Sequence, residues 1–589
     1  MLARCILLVT AGLALSSASL PKTSLSTDPT QPDLLARLTG MCGGGQARGA
    51  QLRARLQLAS VSLAAEGTAV LPRLDPGLSA VRYRISSGSA EAQAWFNQGL
   101  ALAYGFNHGG AIAAFRMAQR LDPACAICFW GEAYVRGPNI NAPMDPGAQG
   151  ATLAALDRAL ALSAGAPAQE RALIEALATR YKADPQADRA ALDHAYADAM
   201  DRVARQFPAD DDIAALAAEA AMDTQPWDYW QSGGRTPKGR IGAAIARIEA
   251  ILARNPDHPQ AIHLYIHLLE ASAMPEKAEA AADRLARPLL PAAGHLVHMP
   301  GHLYYRLGRY GDAMRVNVAA AKADEAYLRT ADDQGIYRYG YYPHNIHFIV
   351  TSAQMAGDKA TAIAESRRLQ RVLGIDVAVA LPWVQMIWAA PYFAHAQFSG
   401  PTEILAQPAP DARLPYVTAM WRYSRAVAHA FRRDTAGFDA EIAALRRLRD
   451  TADFSAMTVA GVPAPELLSL AEQVARGRLA TAAGRPSEAV RHYRAAVAIE
   501  DGIPYMEPPY WHYPVRQSLG AAQLASGDAM GARTTFLEAL ARSPGNGWAL
   551  FGLAEAQGRL GDHTNRKFTL AAFERAWLGP KDGIALNRL

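Results

Sequence analysis

Cysteine is scarce: four residues in 589, at positions 5, 42, 125 and 128. That is too few for a fold built on disulfides. No second Cys-x2-Cys joins Cys125-Ala-Ile-Cys128, so a zinc site of four thiolates is excluded. The pair reads as packing or a structural disulfide. Cys125 with His108 is a weaker reading as a nucleophile and its base. Charge of one sign is also lacking. The formal net charge is +4, and basic residues form no tract and no platform interleaved with aromatics, so nucleic acid is not an expected partner. After the first twenty residues no apolar run has transmembrane length. Strand-like alternation is missing and no dinucleotide glycine pattern follows a strand, which removes nucleotide-dependent oxidoreductase folds. There is no Gly-x-Ser-x-Gly elbow. His263 and His267 are separated by Leu264-Tyr265-Ile266, so the glutamate base of a His-Glu-x-x-His zinc peptidase is missing as well.

Several features are present. Residues 1–20 read as a secretory signal: Arg4, an apolar run from Ile6 to Leu15, then small residues around Ala18. Export across the inner membrane, to a bacterial periplasm, is the expected localisation. A linker with a small helical segment near Gln51–Ala65 occupies 21–88. From Ser89 the chain turns to Ala/Leu-rich helices joined by short turns.

The clearest unit carries Trp95, Gly99, Ala111, Phe115, Ala118 and Pro123 at the spacing of a 34-residue tetratricopeptide repeat (TPR). Small residues let two helices approach, large ones fill the gap, and the proline ends the second helix. The offsets recur at Gly520/Ala532/Phe536/Ala539/Pro544, Gly477/Ala489/Tyr493/Ala496 and Gly301/Tyr304/Ala313/Ala320. The fold expected is an all-α, degenerate TPR-type superhelix. Repeats are expected at 89–205, a histidine-rich central region at 206–380, a helical connection at 381–470 and terminal repeats at 471–589. Four inserts, at Gly137–Gly147, Asp223–Pro237, Arg329–Pro343 and Glu500–Pro514, break the rhythm with rings. These are expected to fill or close the concave channel.

Seven of the fifteen histidines lie between 263 and 347, in register with the repeat. With Ala278, Ala313 and Ala362 equivalent, His263, His298 and His347 share one helix position. His267 and His302 lie four later, and His295 and His344 three earlier. Such spacings share one helix face, and imidazoles from neighbouring helices converge on transition metals. His263, His267, His298, His302 and His347 are the expected ligands of copper, zinc, iron or nickel. Mostly histidine ligands disfavour calcium and magnesium. Glu270, Asp324 or Tyr304 are candidate acceptors for the outer ring nitrogens. Glu270, Glu219, His295 and His344 are candidate catalytic groups. Asn139, Asn141, Trp227, Trp230, Tyr304, Trp511 and His512 are candidate ligand-binding residues, with Asn139 and Asn141 also suited to capping a turn.

The landmarks YGFNHGGAIAAF, LDPACAICFWGEA, GPNINAP, HLYIHLLEAS, HLVHMPGHLYYRLGRY and MEPPYWHYPVRQSLGA resemble a group of bacterial TPR-domain proteins with a histidine-rich centre. The resemblance spans nearly everything after Ser89 and implies the fold, without an activity. Asn317 replaces the usual large apolar residue, and Glu325 the usual proline. Three functions fit: an exported metal-dependent enzyme for oxidation or hydrolysis, a binding module for a peptide, glycan or small molecule, or a scaffold for envelope proteins.

Overall fold

The computed structural model describes residues 73–589 apart from 185, 288, 332, 334, 582 and 583. The leader, Cys42 and the helical segment expected near residues 51–65 lie outside the described residues. Helix accounts for 72% of the chain and no strand occurs among the described residues, so the fold is the expected all-α TPR-type repeat. No helix among the described residues is long and apolar enough to cross a membrane.

The helices used below are numbered in chain order: α1 Ala90–Tyr104, α2 His108–Leu121, α3 Ala126–Val135, α4 Asp211–Asp223, α5 Pro259–Glu270, α6 Gly294–His298, α7 Pro300–Arg306, α8 Tyr310–Leu328, α9 Tyr342–Ala356 and α10 Gly547–Arg559. Each helix of a pair packs on the next, and first helices meet across the repeat, as α1 meets α3. Side-chain caps set the starts: Ser89 receives the Ala92 amide and Asn107 the Gly110 amide. Gly357, in the left-handed region at φ 80, ends α9.

The small-against-large logic of the repeat is visible at Phe115. A Cβ at Gly99 would stand 2.7 Å from its ring, and one at Gly131 would stand 2.6 Å away. Tyr493 fills the same place beside Gly477, and Phe536 beside Gly520. In the central unit Gly301 faces Asn317 instead, so a carboxamide occupies the space that a ring fills elsewhere.

Cys125 and Cys128 form a disulfide at the start of α3. The nucleophile reading of Cys125 is thereby corrected: its sulfur is bonded and buried, and His108 instead meets Asn139 Nδ2 through Nε2 at 3.1 Å.

The inserts fold inward. The indole of Trp227 donates to Asn141 Oδ1 at 3.1 Å, tying the first insert to the second. Trp230 donates to the Leu268 carbonyl at 2.7 Å, on the turn that ends in Glu270. The C-terminal repeats return to the central unit: Trp548, on α10, donates to the Gln354 carbonyl of α9 at 2.8 Å. His512, from the last insert, reaches Gln354 Oε1 with Nδ1 at 2.8 Å.

Candidate metal centre

The repeat register builds the site. His263 and His267, four apart on α5, are joined by His295 from the start of the next unit. His298 and His302, four apart across α6 and α7, are joined by His344 from the unit after that. In each triad every ring offers a nitrogen within 4.8 Å of the others. The third unit breaks the rule, because Thr351 stands four residues after His347. There His347 Nε2 faces His512 Nε2 at 3.1 Å.

Outer contacts fix which nitrogen of each ring is free. His267 Nδ1 is 2.8 Å from Glu270 Oε1, and His302 Nδ1 is 2.6 Å from Oε2 of the same carboxylate, off the ideal hydrogen-bond line. His298 Nδ1 meets Asn317 Oδ1 at 2.6 Å. The Asn317 amide is oriented by donating Nδ2 to the Ala313 carbonyl at 2.8 Å. His263 Nδ1 lies 3.2 Å from Gln260 Oε1, and Gln260 donates Nε2 to Glu219 at 3.2 Å. The His263 ring also faces the Tyr104 carbonyl. These acceptors assign the proton to Nδ1 in four rings and leave Nε2 as a lone pair.

The inner nitrogens then face one another. His263 Nε2 stands 3.2 Å from His295 Nε2, and His302 Nε2 stands 3.4 Å from His344 Nε2. These separations match the edge of a tetrahedron with Zn–N bonds of 2.0–2.1 Å, about 3.3 Å. Even if His295 and His344 donate across those pairs, His267 Nε2 and His298 Nε2 are buried with no partner among the described residues. Each such orphan costs about 1–3 kcal/mol. The donor set fits a nitrogen-loving transition metal at each triad.

Electrostatics point the same way. Burial first, and then the neighbouring imidazoles, hold His263, His295 and His344 well below the ordinary histidine range. The same causes lower His298, and burial lowers His267. Neutral rings are the form that ligates. Burial pushes the Glu270 carboxyl up, but His302 and His267 outweigh it and hold it down at about 2. A buried carboxylate whose only ion-pair partners among the described residues are these two rings favours added cations.

Aromatic walls enclose the triads. Phe106 lies 4.6 Å from His263 and 5.3 Å from His295 between ring centroids, and Trp227 meets His267 edge-on at 5.1 Å. Both hold positive φ, 53° for Phe106 and 64° for Trp227. Such backbone costs ~1–3 kcal/mol for a bulky residue and clusters at functional sites. Phe348 walls the second triad, 5.1, 4.7 and 5.0 Å from His298, His302 and His344. Of the six rings only His344 is partly exposed; the other five are buried.

The sequence expectations are redistributed by this geometry. His295 and His344, expected as catalytic groups, complete the triads, because three residues before the shared position is where one unit's helix meets its neighbour. His347, expected among the ligands, belongs with His512. Glu270 is the shared outer acceptor, and Glu219 acts one residue further out through Gln260. Asn139 caps its own turn, accepting the amides of Asn141 and Ala142. Asn141 holds Trp227. Tyr304 points away, donating to Asp283 at 2.7 Å. Asp324 holds Tyr337 and Asn345. Trp511 packs on Phe393 and Tyr423. Sequence reasoning missed Phe106 and Gln260. Phe106 had a trace in its unusual Gly-Phe-Asn-His setting; Gln260 had none. Glu507, buried with one oxygen unpartnered, lies within the field of His302 and Glu270.

No family model matches the chain, and no curated protein matches it. Among solved structures it is similar to a monomeric IFIT1 mutant with Gppp-AAAA: 13% identity, 84% of this chain and 98% of that one, TM-score 0.30. The human IFIT1 dimer with m7Gppp-AAAA gives 11%, 90%, 94% and 0.28. Yeast Tom70 gives 11%, 82%, 91% and 0.25. Overlaps this loose assign no role to this chain.

Proposed function

We propose that this chain is an exported TPR protein holding two transition-metal ions, one in each histidine triad, for metal-dependent oxidation or hydrolysis. The observation that carries the reading is the set of four Nδ1 atoms turned outward toward Gln260, Glu270 and Asn317, which points the Nε2 atoms inward, those of His267 and His298 with no partner among the described residues. Nitrogen ligands select copper, zinc, iron or nickel. Such an ion supplies Lewis acidity or one-electron chemistry when bound.

Burial favours this reading over a recognition groove. Five of the six imidazoles are at most 4% exposed, which leaves them no face for an extended peptide or glycan. His344, the one partly exposed ring, marks the side from which a small substrate would reach the second triad. The leader-like first twenty residues and the Cys125–Cys128 disulfide support export to an oxidising compartment.

The test is metal content of the untagged protein by inductively coupled plasma mass spectrometry. Two ions per chain are expected, with one lost in His263→Ala/His267→Ala and the other in His298→Ala/His302→Ala at unchanged helix content. A folded protein that takes up none of the four metals would sink the proposal and leave the binding-module reading.

A further inference from the structure

Beside the first triad the chain makes a π-turn, Tyr337–Tyr341. Such turns insert a residue into a helix and recur at functional sites. Tyr341 stands edge-on to His295 with centroids 4.8 Å apart, Tyr337 is 5.7 Å from Tyr341, and Tyr327 is 5.3 Å from Tyr337. His295 is in turn 5.7 Å from His298 of the second triad. The row therefore runs unbroken from both triads outward. Tyr337 and Tyr341 are buried, and Tyr327 is partly exposed.

Two of these phenols have a base beside them. Tyr337 donates to Asp324 Oδ1 at 2.7 Å. That carboxylate makes no ion pair among the described residues; Asn345 Nδ2 is its other partner, at 2.6 Å. It approaches the start of α6 only because residue 294 is glycine, since a Cβ there would overlap Asp324 Oδ1. Burial pushes the Asp324 carboxyl up to about 7, poised to take or give a proton near neutrality. The Tyr327 hydroxyl lies beside Asn107 and Asp333. Tyr341 sits near Asn141 without hydrogen-bond geometry.

We propose that Tyr341, Tyr337 and Tyr327 form a one-electron relay joining the histidine triads to the surface. The inference rests on the metal reading above and commits it to redox chemistry with a peroxide as oxidant. One hydrogen peroxide takes up two electrons from the relay and two protons from solvent, its O–O bond breaks, and two waters leave. Each electron comes from Tyr337 by way of Tyr341, while the Tyr337 O–H breaks and its proton passes to Asp324. Tyr327 returns an electron to Tyr337, Asp324 returns the proton, and the Tyr327 proton passes to Asp333. A surface donor of the ascorbate or phenol class gives one electron to Tyr327 while Asp333 returns the proton, and the donor's own proton is released to solvent. Net, two donors each lose one hydrogen atom for every peroxide reduced.

The experiment mixes copper-loaded full chain with hydrogen peroxide, freezes it, and reads the tyrosyl radical by electron paramagnetic resonance, with bound copper measured on the same samples. Tyr337→Phe, Tyr341→Phe and Asp324→Asn should each lower the radical yield at least about tenfold at equal copper. Tyr342→Phe should not, because that hydroxyl bonds Glu325 off the path. Tyr327→Phe should prolong the radical by cutting its outlet. Equal copper with undiminished radical in both Tyr337→Phe and Tyr341→Phe overturns the relay and leaves the metal reading standing. A chain that holds no copper or other metal overturns both.

Discussion

Asn317 presents its carboxamide oxygen to Nδ1 of His298 at 2.6 Å. It does so from the position where equivalent units place a ring against glycine. The substitution trades packing for orientation. Replacing it with the repeat's usual residue, Asn317→Leu, should leave helix content intact and free the His298 ring to rotate. Loss of such an outer acceptor typically costs 10–100-fold in metal affinity. Chelator competition should show about that loss at one of two sites, with the other unchanged. Equal weakening of both, or neither, would show that Asn317 does not serve the second triad alone.

Glu270 offers one oxygen to each triad, so its effect should be shared. Glu270→Gln keeps the shape but turns an amide N–H toward one imidazole N–H and removes the buried negative charge. Both sites should weaken by about 10–100-fold, in contrast to Asn317→Leu. The two variants measured side by side separate a shared carboxylate from two independent pockets.

Much of this was legible in the sequence, and the residues show why. The Gly/Phe spacing around Gly99 and Phe115 gave the repeat because it is a local packing rule, repeated in register. The same register put the histidines on one wall. Their division into triads was not legible, because it depends on which rings of neighbouring units come together in space. His295 joins the pair on the preceding helix, and His347 meets His512 instead. Asn317 stood out as a breach of the repeat, yet its partner lay nineteen residues back. The positive φ of Phe106 and Trp227 left no mark at all, since neither residue type favours it.

Metal-free protein should be acid-sensitive. Burial lowers His347 to about 3 and His108 to about 4, against about 6.5 unfolded. The unfolded chain therefore binds more protons below pH 6.5, and stability is lost as pH falls from 6.5 toward those values. Each such ring contributes a slope of about 1.4 kcal/mol per pH unit. Urea midpoints of the metal-free chain should fall between pH 7 and pH 5, and His347→Gln should flatten the slope. A slope unchanged by that variant would mean that other groups carry the acid sensitivity.

The third unit carries the start of a triad without completing it. His347 holds the shared position, but Thr351 stands where His267 and His302 do, and His512 arrives from a distant insert. His512 Nδ1 is committed to Gln354 Oε1, and Gln354 is itself oriented by donating Nε2 to Gln397 Oε1 at 2.8 Å. Two rings at 3.1 Å with no third ligand grouped with them among the described residues make a buried N–H···N hydrogen bond that ties the last insert to α9. His512→Leu should therefore leave two metals per chain. It should also orphan the Gln354 oxygen and cost about 1–3 kcal/mol, read as a lower urea midpoint. If metal content fell with stability unchanged, the pair would be a third metal site and the rule of two rings plus one from the next unit would fail.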